Sequence, residues 1–159
     1  MKVLFLDIDG VLCTLRAHYA YAHKRRGIID SWDPVGAKAI KEVCNTGVKI
    51  VISSSWRHYC VNPYDKSDIL GIRLTEHELT EHLHKDWKTG IDGTRGKEIR
   101  QWLSKHPNIK DFIVLDDNIF DMEDVTPYVI HTNANDGMST DDIKKLYKWA
   151  GIGKKKKIV

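Results

Sequence analysis

Acidic and hydroxyl side chains follow three short apolar runs of this chain, at the point where each run ends. Asp7 and Asp9 follow the first run, residues 53–55, all serines, follow the second, and Asp116 and Asp117 follow the third. In an open parallel sheet the carboxyl ends of neighbouring strands share one edge, so these groups are expected to meet in one crevice. Clustered carboxylates repel one another without a cation, and oxygen ligands suit Mg²⁺, which also binds phosphate. The pattern predicts a magnesium site.

Asp7 and Asp9 are spaced so that both can address one substrate atom, because residues i and i+2 of extended backbone point the same way. One carboxylate can attack phosphorus while the other moves a proton. An acyl-phosphate intermediate would divide a difficult hydrolysis into two easier steps. The spacing therefore favours hydrolysis of a phosphate ester.

Four apolar runs are predicted to be the strands that position these residues: Lys2–Leu6, 48–52, 112–115 and 128–131. The first three are apolar almost throughout rather than alternating, which is typical of strands covered on both faces of a parallel sheet.

Capping residues predict three helices among these strands. Helices over about 34–46, 95–106 and 140–150 are bounded by Asp or Ser before them, or by Gly or Pro after them. Alternating strands and helices predict an α/β fold, with a doubly wound, mostly parallel sheet between two helical layers.

The length of 159 residues and a hydrophobic content of 42% predict one domain with one substantial core. We expect a catalytic domain over 1–152, with small inserts at about 13–32 and 58–92, and a basic tail at 153–159. The inserts are too short for a large separate cap, so the site is expected to be fairly open.

Composition excludes several classes of protein. The three cysteines have no CxxC spacing, which supports neither a disulfide framework nor a zinc site and fits a reducing cytoplasm. We find no signal-peptide pattern and no apolar run long enough for a membrane span. The net charge of +3 comes largely from residues 154–157, so it is weak evidence for nucleic acid. No obligate protein partner is expected.

The segment Asp7-Ile8-Asp9-Gly10-Val11-Leu12 after an apolar strand resembles the first motif of the haloacid dehalogenase (HAD) superfamily. The later motifs occur in the same order, and the resemblance spans nearly the whole chain. It implies a HAD-like fold, with Asp7 as nucleophile and metal ligand. It implies that Asp9 is the acid and base and that its backbone carbonyl binds the metal. An aspartate at the second position is typical of the phosphatase branch.

The same resemblance implies a serine after the second strand that donates to the phosphoryl group. We favour Ser54 for this role, with Ser53 as the second choice. Backbone amides of the turn would assist, and Gly10 and Ser55 are predicted to bind substrate. Arg57 could add a bidentate contact to phosphate.

The third motif of the superfamily is a lysine near the start of a helix, which would offset the crowded negative charge. Lys97 is the favoured residue and Arg95 the alternative. The fourth motif is acidic and binds metal, and Asp116 and Asp117 match it, with Asp121 as a candidate outer member.

The runs SSSWR, RGKEI and LDDN resemble small HAD domains of RNA-repair proteins and of polynucleotide phosphatases. The sequence thus predicts a Mg²⁺-dependent phosphatase of nucleotides or nucleic-acid ends, and basic residues at 16 and 24–26 add to that expectation. Alternatives are a phosphatase of small sugar phosphates, phosphotransfer to an acceptor other than water, and a non-catalytic module that binds metal and phosphate. Trp56 is a candidate for base stacking.

Overall fold

The computed structural model describes residues 1–21 and 31–153. Part of the predicted first insert, with basic residues 24–26, and the tail after residue 153 lie outside the described residues. In these two ranges every helix is too short or too polar to cross a lipid bilayer.

Five strands of the described chain form one parallel sheet. They are β1 (Lys2–Leu6), β2 (Lys49–Ile52), β3 (Leu83–Lys88), β4 (Asp111–Asp116) and β5 (Val129–His131). Their order across the sheet is β3-β2-β1-β4-β5, with every pairing parallel. Because β1 lies at the centre, its carboxyl end is flanked by those of β2 and β4. The predicted α/β fold with a doubly wound sheet is confirmed.

Strand β3 was not predicted, because its sequence does not look like that of a buried strand. It reads Leu-His-Lys-Asp-Trp-Lys and lies inside the predicted insert over 58–92. As an edge strand it pairs only with β2, and that pairing is irregular between Ile50 and Ile52. An edge strand is often charged, which discourages pairing with other chains.

Helices cover the sheet, and three of them match the prediction. They are α1 (Leu15–Tyr21), α2 (Pro34–Cys44), α3 (Ile69–Glu76), α4 (Arg95–Ser104) and α5 (Thr140–Ala150). The capping signals explain two of the starts, since the Asp33 carboxylate accepts from backbone N–H groups at the start of α2 and Ser139 forms a capping box with Asp142 at α5. Within the described residues, the predicted inserts contain α1 and α3.

The core lies on both faces of the sheet. In β1 the side chains of Leu4 and Leu6 pack in a cluster with residues of α2 and α5, whereas Val3 and Phe5 pack with residues of α4. Successive side chains of a strand point to opposite faces, so these clusters are the two interfaces of a three-layer α/β/α fold. Burial on both faces explains why β1 is apolar throughout.

Candidate active site

The carboxyl ends of β1, β2 and β4 bring three segments of the site together. Backbone pairing continues one residue past β1, since Asp7 N–H donates to the Leu115 carbonyl at 3.0 Å. Ser53 N–H likewise donates to the Leu6 carbonyl at 3.0 Å. The sheet itself therefore fixes the backbone of the predicted nucleophile and of the serine run.

Three carboxylates meet at this edge. One oxygen each of Asp7, Asp116 and Asp117 lie within 4.8 Å of one another. Gly10 permits this arrangement: its φ is +76°, and a Cβ there would lie 2.3 Å from Asp117 Oδ2. A larger residue at this position would displace the Asp117 carboxylate.

Crowding and burial disfavour negative charge in this cluster. Burial raises the pKa of Asp7, and Arg95 opposes that shift. Burial, followed by repulsion from Asp7, raises the pKa of Asp116 to about 7. A hard divalent cation would offset this repulsion, and an all-oxygen set suits Mg²⁺. The residues present therefore fit the predicted metal.

Mg²⁺ is expected to raise the melting temperature of the protein. At a Mg²⁺ concentration about 100-fold above its Kd the gain is about 2.7 kcal/mol. For a chain of this size that corresponds to roughly 5–10 °C. Thermal melts with and without Mg²⁺ test this, with Asp116→Asn expected to lose most of the increment. An equal increment in Asp116→Asn and wild type would contradict the metal assignment.

The rise in melting temperature that Mg²⁺ causes is also expected to depend on pH. The pKa of Asp116 is raised from 3.8 to about 7 in the folded, metal-free protein, so that protein loses stability as pH rises through this window. Mg²⁺ requires deprotonated carboxylates, so its stabilisation grows over the same window. The same melts should show a larger Mg²⁺ increment at pH 7.5 than at pH 5.5. A larger increment at pH 5.5 would contradict this.

The cation in the cluster is Arg95, the alternative choice of the sequence analysis. Its Nη1 lies 2.6 Å from Asp116 Oδ2 and 3.3 Å from Asp7 Oδ1. The structure does not bring the favoured residue, Lys97, to the site. The Lys97 side chain is 63% exposed, and its Nζ lies 3.9 Å from a carboxylate oxygen of Glu123.

Helix α4 turns Arg95 inward because of a close backbone contact. A Cβ at Gly96 would lie 2.2 Å from the Met122 carbonyl oxygen, and Gly96 N–H donates to the Asp121 carbonyl at 2.8 Å. The start of α4 is therefore pressed against the loop that follows β4. Asp121 supplies a backbone acceptor in this contact, and no Asp121 oxygen belongs to the carboxylate cluster of the described residues.

Of the three serines, Ser54 is the one whose side chain acts on the nucleophile, since it opposes the rise that burial causes in the pKa of Asp7. Its hydroxyl is buried and accepts from Trp56 N–H at 3.3 Å. The Ser53 hydroxyl is fully buried and has no hydrogen-bond partner among the described residues. Ser55 is exposed and lines a cavity beside the cluster. Ser54 is thus the serine in a position to meet a phosphoryl group on Asp7.

Arg57 does not present a free guanidinium, contrary to the expectation of a bidentate phosphate contact. It is buried, and its five N–H donors reach protein acceptors at 2.6 to 3.3 Å. The acceptors are the carbonyls of Ser53, Ser54, Thr89 and Gly90 and the carboxylate of Glu98. An arginine has only five N–H groups, so this set is complete. Arg57 ties the serine loop to the end of β3 and to α4.

The side chain of Asp9 lies apart from the carboxylate cluster and is exposed. The indole Nε1 of Trp56 donates to both of its carboxylate oxygens, at 3.1 Å each. The predicted metal contact of Asp9 is through its backbone carbonyl, which leaves the carboxylate for proton transfer. The contact of Trp56 with Asp9 and the contact of Arg57 with buried Glu98 were not predicted. No sequence pattern links residues that are 47 or 41 positions apart, as these pairs are.

A cavity of about 240 Å³ opens beside the cluster. Its lining includes Ser55, His58, Arg95, Asp116, Asn118 and Asp121. The cavity therefore borders the acidic cluster and its cation directly.

Comparison with known proteins agrees with this geometry. The chain has no match among curated proteins or among solved structures. A family model described as the HAD domain in Swiss Army Knife RNA repair proteins matches residues 3–143, a range that contains every residue of the site described above. The chain therefore belongs to this family of HAD domains.

Proposed function

We propose that this protein is a Mg²⁺-dependent phosphoric monoester hydrolase that acts through an aspartyl phosphate on Asp7. Membership of the HAD family indicates a hydrolase of the phosphatase type. The observation that carries the finer proposal is the meeting of Asp7, Asp116 and Asp117 within 4.8 Å, beside the guanidinium of Arg95. The cluster supplies a nucleophile, oxygen ligands for a cation and a fixed positive charge.

The proposed reaction has two steps. In the first, the Asp7 carboxylate attacks phosphorus, the bond from phosphorus to the leaving oxygen breaks, and Asp9 gives that oxygen its proton. In the second, Asp9 takes a proton from water as the water oxygen attacks phosphorus, which releases Asp7 and inorganic phosphate. Asp9 is thus protonated again for the next turnover.

Fixed donors would stabilise the charge that develops on the phosphoryl oxygens. Ser54 is buried and accepts from Trp56 N–H, and Arg95 contacts both Asp7 and Asp116, so both side chains are held in place before substrate arrives. The ion bound by Asp7, Asp116, Asp117 and the Asp9 carbonyl would supply Lewis-acid stabilisation of the phosphoryl charge.

We propose a nucleotide or a nucleic-acid terminal phosphate as the substrate. The family is named for RNA-repair proteins, and in the part of the chain that the structure describes the cavity beside the site has exposed residues such as Ser55 and His58 in its lining. Substrate binding by Gly10 and Ser55, a single catalytic domain over 1–152 and a cytoplasmic location belong to the same proposal. The spacing of the three cysteines, with no CxxC pair, supports a reducing compartment.

A panel of substrates tests this choice. With Mg²⁺, we expect kcat/KM for 3′- or 5′-phosphorylated oligonucleotides, or for mononucleotides, to exceed that for sugar phosphates by about tenfold or more, or about 1.4 kcal/mol. A higher kcat/KM for sugar phosphates would contradict the proposed class of substrate. Absence of turnover of every substrate, aryl phosphates included, by folded protein that binds Mg²⁺ would favour the non-catalytic module instead. Loss of substrate without matching free phosphate would indicate phosphotransfer.

A further inference from the structure

The indole of Trp56 donates a hydrogen bond to the proposed proton donor, Asp9. Its Nε1–H is shared between the two carboxylate oxygens of Asp9, at 3.1 Å each. Asp9 is exposed and lies just beyond β1, so its side chain would otherwise lose rotational freedom when it acts. We infer that Trp56 is a positioning residue that holds Asp9 for proton transfer, and this inference rests on the proposed function.

Trp56 is itself held on several sides. Its backbone N–H donates to the Ser54 hydroxyl at 3.3 Å, at the start of the 3-10 turn Ser55–His58. Its ring packs against buried Trp32, with ring centroids 5.8 Å apart. Trp32 is in turn stacked on the ring of His77, with an interplanar angle of 9°. A side chain fixed in this way can restrict a partner without much loss of its own entropy.

The same turn connects the proton donor to the nucleophile. The buried Ser54 side chain acts on the pKa of Asp7, and two residues later the Trp56 indole donates to Asp9. The backbone also links Asp9 to Cys13 and Cys13 to Trp32 through isolated bridges. The turn after β2 thereby sets the relative positions of the attacking carboxylate and the proton-donating carboxyl. Productive geometry of this kind accounts for a large part of catalysis.

A positioning role for Trp56 predicts a dependence on the leaving group. When the bond between phosphorus and the leaving oxygen breaks, an alkoxide must receive the Asp9 proton, whereas p-nitrophenolate is stable without it. Loss of the Trp56 contact should therefore impair alkyl phosphates more than aryl phosphates. Because kcat/KM reports the steps up to formation of the phospho-enzyme, the second step, common to both substrates, does not blur the comparison.

The test compares Trp56→Phe with wild type on p-nitrophenyl phosphate and on a nucleoside monophosphate, with Mg²⁺. In Trp56→Phe we expect kcat/KM to fall roughly 10²-fold on the nucleoside monophosphate, an alkyl ester. On p-nitrophenyl phosphate, an aryl ester, kcat/KM should stay within about threefold of wild type. Trp149→Phe is the matched control, because the Trp149 indole also donates to a carboxylate, that of Asp111, at 3.1 Å. Asp111 begins β4, so this contact lies at the amino ends of the strands, away from the site. The ratio of the two kcat/KM values in Trp149→Phe should equal that of wild type.

The ratio is taken within one preparation, so a smaller folded fraction of Trp56→Phe does not alter it. An equal loss on both esters, or no loss, would overturn the inference while the proposed function stands. If wild type turns over neither ester, the proposed function fails and the inference fails with it. On an Asp9→Asn background, Trp56→Phe should add almost nothing on the alkyl ester. A full further loss there would also overturn the inference.

Discussion

Asp7→Asn is expected to lower kcat/KM by on the order of 10⁴-fold or more, on aryl and alkyl phosphates alike. The amide cannot form the covalent bond to phosphorus, and it also removes one oxygen of the acidic cluster. The variant should fold, because burial raises the pKa of Asp7 and an uncharged side chain relieves the crowding. Phosphate release with Mg²⁺ measures the effect, and a thermal melt verifies folding.

Asp111→Asn is the matched control for this substitution. Asp111 begins β4 and so lies at the amino ends of the strands, opposite the site. Its carboxylate pairs with Lys2 at 3.1 Å. A partly exposed pair of this kind contributes little to stability, so we expect activity within about twofold of wild type. Activity of Asp7→Asn within tenfold of wild type would contradict the assignment of Asp7 as the nucleophile.

The second large effect is expected at Arg95. Arg95→Met removes the positive charge between Asp7 and Asp116 and should lower kcat/KM by roughly 10²–10³-fold. Lys97→Met, two residues further along α4, should leave activity within about twofold, because the Lys97 side chain is largely in solvent. Kinetics on p-nitrophenyl phosphate for both variants provide the comparison.

Arg95→Lys refines the result. A lysine keeps the charge but replaces the planar guanidinium, whose Nη1 contacts both carboxylates, with a shorter and more flexible side chain, so activity intermediate between Arg95→Met and wild type is expected. If Lys97→Met lost more activity than Arg95→Met, the cationic role would belong to Lys97, as the sequence favoured, and α4 would have to be rotated in the active protein.

The central strands and their terminal residues could be predicted because both faces of these strands are buried. Burial on both faces makes β1, β2 and β4 continuous apolar runs, so the polar residues that end them stand out in the sequence. Asp7 and Asp116 were found in this way. Strand β3 has one free edge and polar side chains, so its sequence lacked that signal.

The roles of individual cations could not be predicted because they depend on orientation. Residues 95 and 97 are about 200° apart around a helix, so one of them faces the site and the other faces away. The choice depends on the contact of Gly96 with the Met122 carbonyl, which only the packed structure contains. Arg57 similarly meets the Glu98 carboxylate only through folding, at 2.7 Å.

A covalent phosphate on Asp7 tests the central claim most directly. In Asp9→Asn, p-nitrophenyl phosphate should still phosphorylate Asp7, because its leaving group needs no proton, whereas loss of the base slows hydrolysis of the intermediate. The variant is mixed with this ester and Mg²⁺, quenched in acid and mapped by mass spectrometry. We predict phosphate on the peptide that contains Asp7, with a burst of p-nitrophenol. A burst without phosphate on Asp7, or phosphate on another residue, would contradict the account.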